Sequence, residues 1–546
     1  MRRSAPTCCA DPLVPHCVPL VPAPLPCADQ ARYLSCMFTL FSRERALRMI
    51  PWLAGAVVFL AHLAANPHYG FFRDELYFII CGFHPAWGYV DQPPLVPLFA
   101  AATQLGGHSL PLLRAVPALL AGASIVVACL LAAELGGGAF ARILTAIVVA
   151  LTPVLESFGG KVGTDEANPL LWTLAAYAVL RIVKGGDPRL WLLAGGALGL
   201  AFEMKYSVVF FGAALLGALL FVPQRRILAS RWFVAGVALC AALALPNALW
   251  QLHEGLPMLE LLRNGQNGKN VVVGPLAYLA QEVLITDPLL APVWIIGLVQ
   301  LVRTPVARFL ALAYALLIAE MIVLHGKHYY PAAVYPIPIA AGCVALEAWT
   351  ARVRFVRPVL AVAAVFAGVA LMPLALPVLP EQTYLAYEAR LFAVMHVRRS
   401  ALATEHGRES AVLPGDWADM HGWPELAATV ERVVAALPPA DRKRALIVTS
   451  NYGEASAIEL FGHDLPPVAS GHNEFWLWGT HGRTGDVVID VHGDCGADDR
   501  LFAHAERAAT FTSQYGISYE QNVPIMVCRG VRKPLATIWA SARHYI

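Results

Sequence analysis

Residues 358–377 read PVLAVAAVFAGVALMPLALP, twenty residues without a charged side chain. A helix of that length spans about 30 Å, the thickness of a bilayer's hydrocarbon core. Arg352, Arg354 and Arg357 stand just before it, and from about residue 380 the sequence becomes a mixed, charge-bearing one. The stretch therefore reads as the last crossing of a membrane domain that a soluble region follows.

Upstream, runs of the same kind recur at 49–67, 110–133, 139–156, 167–183, 189–203, 206–222, 232–250, 288–302, 306–324 and 332–349. The composition agrees: 58% of residues are hydrophobic and 14% charged, where a soluble domain carries roughly 25% charged residues. The sequence thus predicts a polytopic α-helical membrane protein of about 11 transmembrane helices with a C-terminal soluble α/β domain. Its expected parts are an N-terminal segment 1–48, a membrane domain 49–379 and an extracytoplasmic domain 380–546. Cys8, Cys9, Cys17, Cys27 and Cys36 lie in a Pro-rich stretch without periodicity, read as a disordered cytoplasmic extension or a start codon placed too early. The formal net charge of +2 gives no reason to expect a nucleic-acid partner.

Charge bias orients the chain, because Lys and Arg near helix ends resist translocation. With Arg43, Arg45 and Arg48 inside, alternate connections carry Arg142, then Arg181, Lys184 and Arg189, then Arg225, Arg226 and Arg231, then Arg303 and Arg308, and last Arg352, Arg354 and Arg357. This alternation needs residues 189–222 to break as a hairpin at Glu203–Tyr206, and residues 274–286 to remain uncrossed. An odd number of crossings then leaves the C-terminal domain outside, in the inner (plasma) membrane of the cell.

The outward connections hold the chemistry. The first, about 68–109, contains Arg73-Asp74-Glu75-Leu76-Tyr77-Phe78. The second holds Lys161 and Thr164-Asp165-Glu166, the third Glu203 and Lys205, and the fifth His325-Gly326-Lys327-His328-Tyr329-Tyr330-Pro331. Acidic pairs at helix starts suit the macrodipole and cap the first turn. Two such pairs on one face with Lys205 and Lys327 are also the elements of an acid/base site that holds a phosphate. His325 and His328 have metal-ligand spacing without a third ligand nearby. Lys327 with Tyr329 and Tyr330 fits a lipid-phosphate ligand as well as an aromatic belt with a snorkelling lysine.

Asp74-Glu75-Leu76-Tyr77-Phe78, Thr164-Asp165-Glu166 before a span, and Lys327 with Tyr329-Tyr330 and Tyr335-Pro336 resemble the GT-C membrane glycosyltransferases. The nearest kin are family 39-like enzymes: protein mannosyltransferases, the aminoarabinose transferase of lipid A and lipopolysaccharide galacturonosyltransferases. The resemblance implies sugar transfer, with inversion, from a polyprenyl-phosphate-linked donor to a lipid, glycan or protein acceptor at the outer face. It maps the base onto Asp74, with Glu75 in support and Asp165 and Glu166 orienting the acceptor or a cation. Arg73, Lys205 and Lys327, with His328, Tyr329 and Tyr330 beside them, fall to the donor phosphate. The resemblance fixes no cofactor: some relatives need a divalent ion, and a cation such as Mg or Mn would fit the acids. The competing class is a transporter or flippase of lipid-linked saccharides, which would show internal repeats and midplane charges. The sequence shows neither.

In the C-terminal part, Ala445–Thr449, Asp486–Val491 and Ile525–Cys528 read as strands, with a helix after Asn451. The segment Gly471–Gly479 suits either stacking on a sugar or anchoring against the membrane domain. Cys495 and Cys528 fit a disulfide or two buried thiols on neighbouring strands.

Overall fold

Each apolar run read from the sequence is helical in the computed structural model, which describes residues 47–403, 405, 411–496 and 501–546. The reading of residues 1–46 lies outside the described residues. Five helices are long and apolar enough to cross a membrane: α1 (Leu47–Ala65), α4 (Leu110–Glu134), α10 (Arg231–His253), residues 332–349 containing α15 (Pro336–Trp349), and α16 (Val356–Ala375). Two bent pairs raise the count to seven. α5 (Ala139–Ala150) and α6 (Pro153–Gly160) meet at 66°, and α9 (Val208–Leu220) turns by 119° into the 3-10 segment Pro223–Ala229. A proline opens the second member of each pair, where its missing N–H and fixed φ are tolerated while a straight continuation is not.

The remaining four runs form α7 (Asn168–Val183), α8 (Leu190–Phe202), α13 (Ala291–Arg303) and α14 (Arg308–Val323), of 13 to 16 residues. They are shorter than a straight crossing needs, and polar turns complete their ends. The hairpin break at Glu203–Tyr206 is present between α8 and α9. Residues 275–285 form α12 (Pro275–Ile285), whose 11 residues reach about half the thickness of the hydrocarbon core. Burial separates centre from rim. The apolar windows of α4 and residues 332–349 are 61% and 72% buried, against 17% for α1 and 11% for α10. The rim helices present Trp52, Leu53, Val57, Val234, Leu249 and Phe366 outward, as lipid contact requires.

The stretch read as the first outer loop is largely helical. It contains α2 (Arg73–Phe83) and α3 (Leu95–Gln104). α2 starts where Glu75 Oε2 accepts the Phe72 amide at 2.8 Å, satisfying a donor that the first turn leaves open. It stops at His84-Pro85, since the residue before proline avoids the α region.

The C-terminal part holds a five-stranded sheet in the order β2-β1-β3-β5-β4, from β1 (Ala445–Thr449), β2 (Val468–Ser470), β3 (Val487–Val491), β4 (Phe502–Phe511) and β5 (Val523–Val531). β1 pairs in parallel with β2 and β3, in register Ile447 with Val468 and Ile447 with Ile489. β5 is antiparallel to β3 and β4, with a bulge between Arg507 and Ala509. The helices α17 (Glu381–Met395), α18 (Gly415–Ala418), α19 (Trp423–Ala436), α20 (Pro439–Arg444), α21 (Tyr452–Phe461) and α22 (Glu474–Trp478) cover it or lead to it. Cys495 and Cys528 form a disulfide.

An apolar cluster joins this part to the outer helices: Leu76, Ile79 and Ile80 of α2 share it with Leu426 and Val430 of α19 and with Ala455 and Ile458 of α21, while Phe72 belongs to a second cluster with Trp417 and Met420. Each such aliphatic side chain contributes roughly 1.5–3 kcal/mol when fully buried. The aromatic segment at 471–479 is used for anchoring. Phe475 stacks on Tyr77 at 6.4 Å and Trp478 lies 4.6 Å from the ring of His84.

Candidate active site

The start of α2 carries three charged residues with different surroundings. Glu75 is fully buried. Its Oε1 accepts from Arg114 Nε at 2.9 Å and from the Val162 amide at 2.9 Å, and its Oε2 from Arg114 at 2.8 Å besides the Phe72 amide. Arg114, on α4, also donates to the carbonyls of Asn66 and Gly70. This bidentate pair is a buried, charge-assisted clamp between α1, α2, α4 and the 161–163 turn. Glu75 does not line the cavity described below. Asp74, one residue earlier, does. Its Oδ1 accepts from the Tyr452 hydroxyl at 2.8 Å and from Arg73 Nε at 3.4 Å, and its side chain is one-third exposed. Arg73 is turned to the C-terminal part: it donates to the Tyr519 hydroxyl, lies 3.9 Å from Asp419 and stacks over the Tyr452 ring.

Three lysines line the same cavity, each paired with a carboxylate. Lys205 Nζ donates to Asp165 Oδ2 at 2.5 Å and sits over the rings of Tyr329 and Tyr330 at 5.3 and 4.8 Å. Lys327 Nζ reaches Glu405 Oε1 at 2.6 Å, and Lys161 Nζ reaches Asp416 Oδ2 at 2.8 Å. The lysines come from three different connections, 160–167, 203–207 and 325–331, and all three line the same cavity. Glu166 is buried, with Oε2 accepting the Gly163 amide at 3.2 Å and Oε1 without a partner. Burial pushes its carboxyl well above the ordinary range. His328, also buried, is pushed down to about 4 by burial and then by the neighbouring Lys327, so it is neutral at pH 7.

This cavity, of about 1290 Å³, is lined by Arg73, Asp74, Asp165, Glu166, Lys161, Lys205, Lys327, His328, Tyr329, Tyr330 and Tyr452. Its lining also includes aliphatic side chains such as Leu259, Leu262, Ile285, Met321, Leu324 and Leu371, and further polar ones such as Asn247, Gln251 and Glu388. A large cavity that mixes charged and apolar lining suits a molecule with a charged head and a hydrocarbon tail.

Of the ten candidate site residues, nine share this cavity and Glu75 stands behind it. Lys161, Asp416, Glu405 and Tyr452 complete it. Lys161 was visible in the sequence beside Thr164-Asp165-Glu166 but lacked a partner there. Arg114 was hidden inside an apolar run, and its 39-residue separation from Glu75 carries no local signal. Among the described residues, the groups of three ligand atoms within 4.8 Å of one another lie elsewhere, at Glu454, His492 and Glu520 and at Asp490, Cys495 and Cys528. The two cysteines of the latter are already bonded to each other.

Comparison with known proteins agrees with this architecture. The family model described as dolichyl-phosphate-mannose-protein mannosyltransferase matches residues 91–250, a segment that includes Asp165, Glu166 and Lys205 but neither Asp74 nor Lys327. The lipid A galacturonosyltransferase RgtD of Rhizobium johnstonii is 31% identical over 193 residues, covering 34% of this chain and 39% of that protein. The chain thus matches about two fifths of that curated relative's length. Crystal structures of ArnT from Cupriavidus metallidurans superpose over 87% of this chain and 97% of theirs. The form bound to undecaprenyl phosphate gives a TM-score of 0.54 at 13% identity, and the apo form 0.55 at 12%. The chain therefore shares the fold of ArnT, and its residues 91–250 are similar to the mannosyltransferase family model.

Proposed function

We propose that the chain transfers a sugar from a polyprenyl-phosphate donor to a hydroxyl of a lipid, glycan or protein acceptor, at the outer face of the inner membrane. The observation that carries this reading is that Asp74 shares one large cavity with three lysines and many aliphatic side chains. ArnT, which shares the fold, has been captured with undecaprenyl phosphate, a molecule of that amphipathic kind.

In the proposed step, Asp74 accepts the proton of the acceptor hydroxyl as the oxygen attacks the anomeric carbon. The bond from that carbon to the phosphate oxygen breaks, and the electron pair leaves on polyprenyl phosphate. Lys161, Lys205 and Lys327 meet the new charge, each exchanging its present carboxylate partner for phosphate oxygens. Tyr452 and Arg73 fix the Asp74 carboxylate, and Glu75 holds the start of α2 through Arg114. One displacement without a covalent intermediate inverts the anomeric configuration. The disulfide Cys495–Cys528 supports an extracytoplasmic C-terminal part, since such bonds persist in oxidising compartments. The Lys and Arg alternation points the same way.

Deletion of the gene should remove a sugar from a cell-envelope lipid or glycan, read by mass spectrometry. The wild-type gene should restore it and Asp74→Asn, expressed at equal level, should not. Full restoration by Asp74→Asn overturns the proposal.

A further inference from the structure

Behind the cavity wall, three side chains that do not line it converge in the C-terminal part. Glu454 lies in the first turn of α21, His492 follows β3, and Glu520 ends the short 3-10 turn Ser518–Glu520 before β5. One carboxylate oxygen from each glutamate and one ring nitrogen of His492 lie within 4.8 Å of one another. Glu454 is fully buried and Glu520 is 3% exposed. Glu454 Oε1 faces Nδ1 of His492 at 2.7 Å, and Glu454 Oε2 accepts the Ser450 amide at 2.9 Å. Asn451 donates to Glu520 Oε1 at 3.1 Å, whereas Glu520 Oε2 is buried and has no hydrogen-bond partner. Among the described residues no lysine or arginine pairs with either carboxylate, and the single charged contact is His492.

Two buried carboxyl groups and one imidazole meet here with one carboxyl oxygen left as an open acceptor, which protein interiors avoid. We propose that Glu454, His492 and Glu520 bind a divalent transition-metal cation. One nitrogen and two oxygens are a donor set that such ions accept, while an all-oxygen set would favour magnesium or calcium. His492, whose side chain is 28% exposed, gives the ion a route in from solvent.

The position gives the site a consequence. Glu454 is two residues from Tyr452, whose hydroxyl donates to Asp74, and Glu520 follows Tyr519, which is bonded to Arg73. A cation here ties the start of α21 to the 518–520 turn, the two segments that hold Asp74 and Arg73. These three are positioning residues, and their binding of a metal does not depend on what the cavity transfers.

The test uses the full chain, purified in detergent, stripped with chelator and titrated with Zn²⁺ alone. Calorimetry should show wild type taking up one equivalent more than Glu520→Gln or His492→Gln. The unfolding midpoint should rise with Zn²⁺ in wild type and not in the variants. Equal uptake and equal midpoints in all three proteins overturn the proposal and leave a proton shared between the two carboxyls. X-ray absorption at the zinc edge of wild type needs no variant. A nitrogen and oxygen shell supports the site, and a shell of sulfur alone contradicts it.

Discussion

Asp74 and Glu75 are adjacent, yet one faces a cavity and the other is enclosed by four donors, and the difference is one of helix geometry. Successive residues at a helix start point about 100° apart, so Glu75 turns inward to Arg114 while Asp74 turns to Tyr452. Glu75→Ala leaves a buried guanidinium without its counter-charge. It should lower stability by about 3–5 kcal/mol, read as a fall in unfolding midpoint in detergent, and Arg114→Ala should do the same. An unchanged midpoint would contradict the clamp. The acidic pair was legible in the sequence because charged doublets are rare in so apolar a chain. The roles within the pair were not legible, because only the partner 39 residues away distinguishes them. Glu474 gives a second expectation at this scale. Burial lifts its carboxyl to about 8, against the single hydrogen bond from the Val90 amide that lowers it. The folded state therefore keeps a proton that the unfolded state releases near pH 4.3 (about the unperturbed glutamate value), and stability falls as pH rises from there through 8. Glu474→Gln should remove a decline of a few kcal/mol at most, seen as a smaller difference between midpoints at pH 5 and pH 8.5 than wild type shows. Equal slopes would contradict it.

Among the elements, eleven apolar runs could be read directly because hydrophobic length is a strong signal, and all eleven are helical. The outer helices α2 and α3 were read as loop, since Pro85, Pro93 and Pro94 break the periodicity between them. β2 has only three residues and β4 is mostly exposed, its sequence FAHAERAATF lacking the alternation of a half-buried strand. Close helix crossings were also invisible, because a glycine's use depends on what faces it. Gly297 of α13 meets the Pro338 carbonyl of α15, and Gly342 of α15 meets the Val293 carbonyl of α13, each closer than any Cβ allows. Small residues let membrane helices approach in this way. Gly297→Leu should therefore cost about 1–3 kcal/mol or more and lower the yield of monodisperse protein. A variant as stable as wild type would show that the two helices can separate freely.

For the whole molecule, the three lysine-bearing connections and the start of α2 line one cavity. The sequence could place those connections on a common face through charge bias, but not show that they enclose a cavity. That depended on the C-terminal part, whose Tyr452, Asp416 and Glu405 close the chamber. Membrane orientation is open to a direct check. A cysteine introduced at Gly268 should react with an impermeant reagent added outside intact cells, and one at Arg226 should not; the reverse pattern would contradict the orientation. The central claim is that Asp74 activates an acceptor against a polyprenyl-phosphate donor held by lysines. Its most direct test is single-turnover transfer by purified, reconstituted protein. The donor would be the sugar-bearing polyprenyl phosphate extracted from the source membranes, and the product would be followed by mass spectrometry. Wild type should release polyprenyl phosphate in step with product, whereas Asp74→Asn should bind the same donor yet form product at least about a hundredfold more slowly, a loss on the order of general-base catalysis. Product formation by Asp74→Asn at the wild-type rate would contradict it.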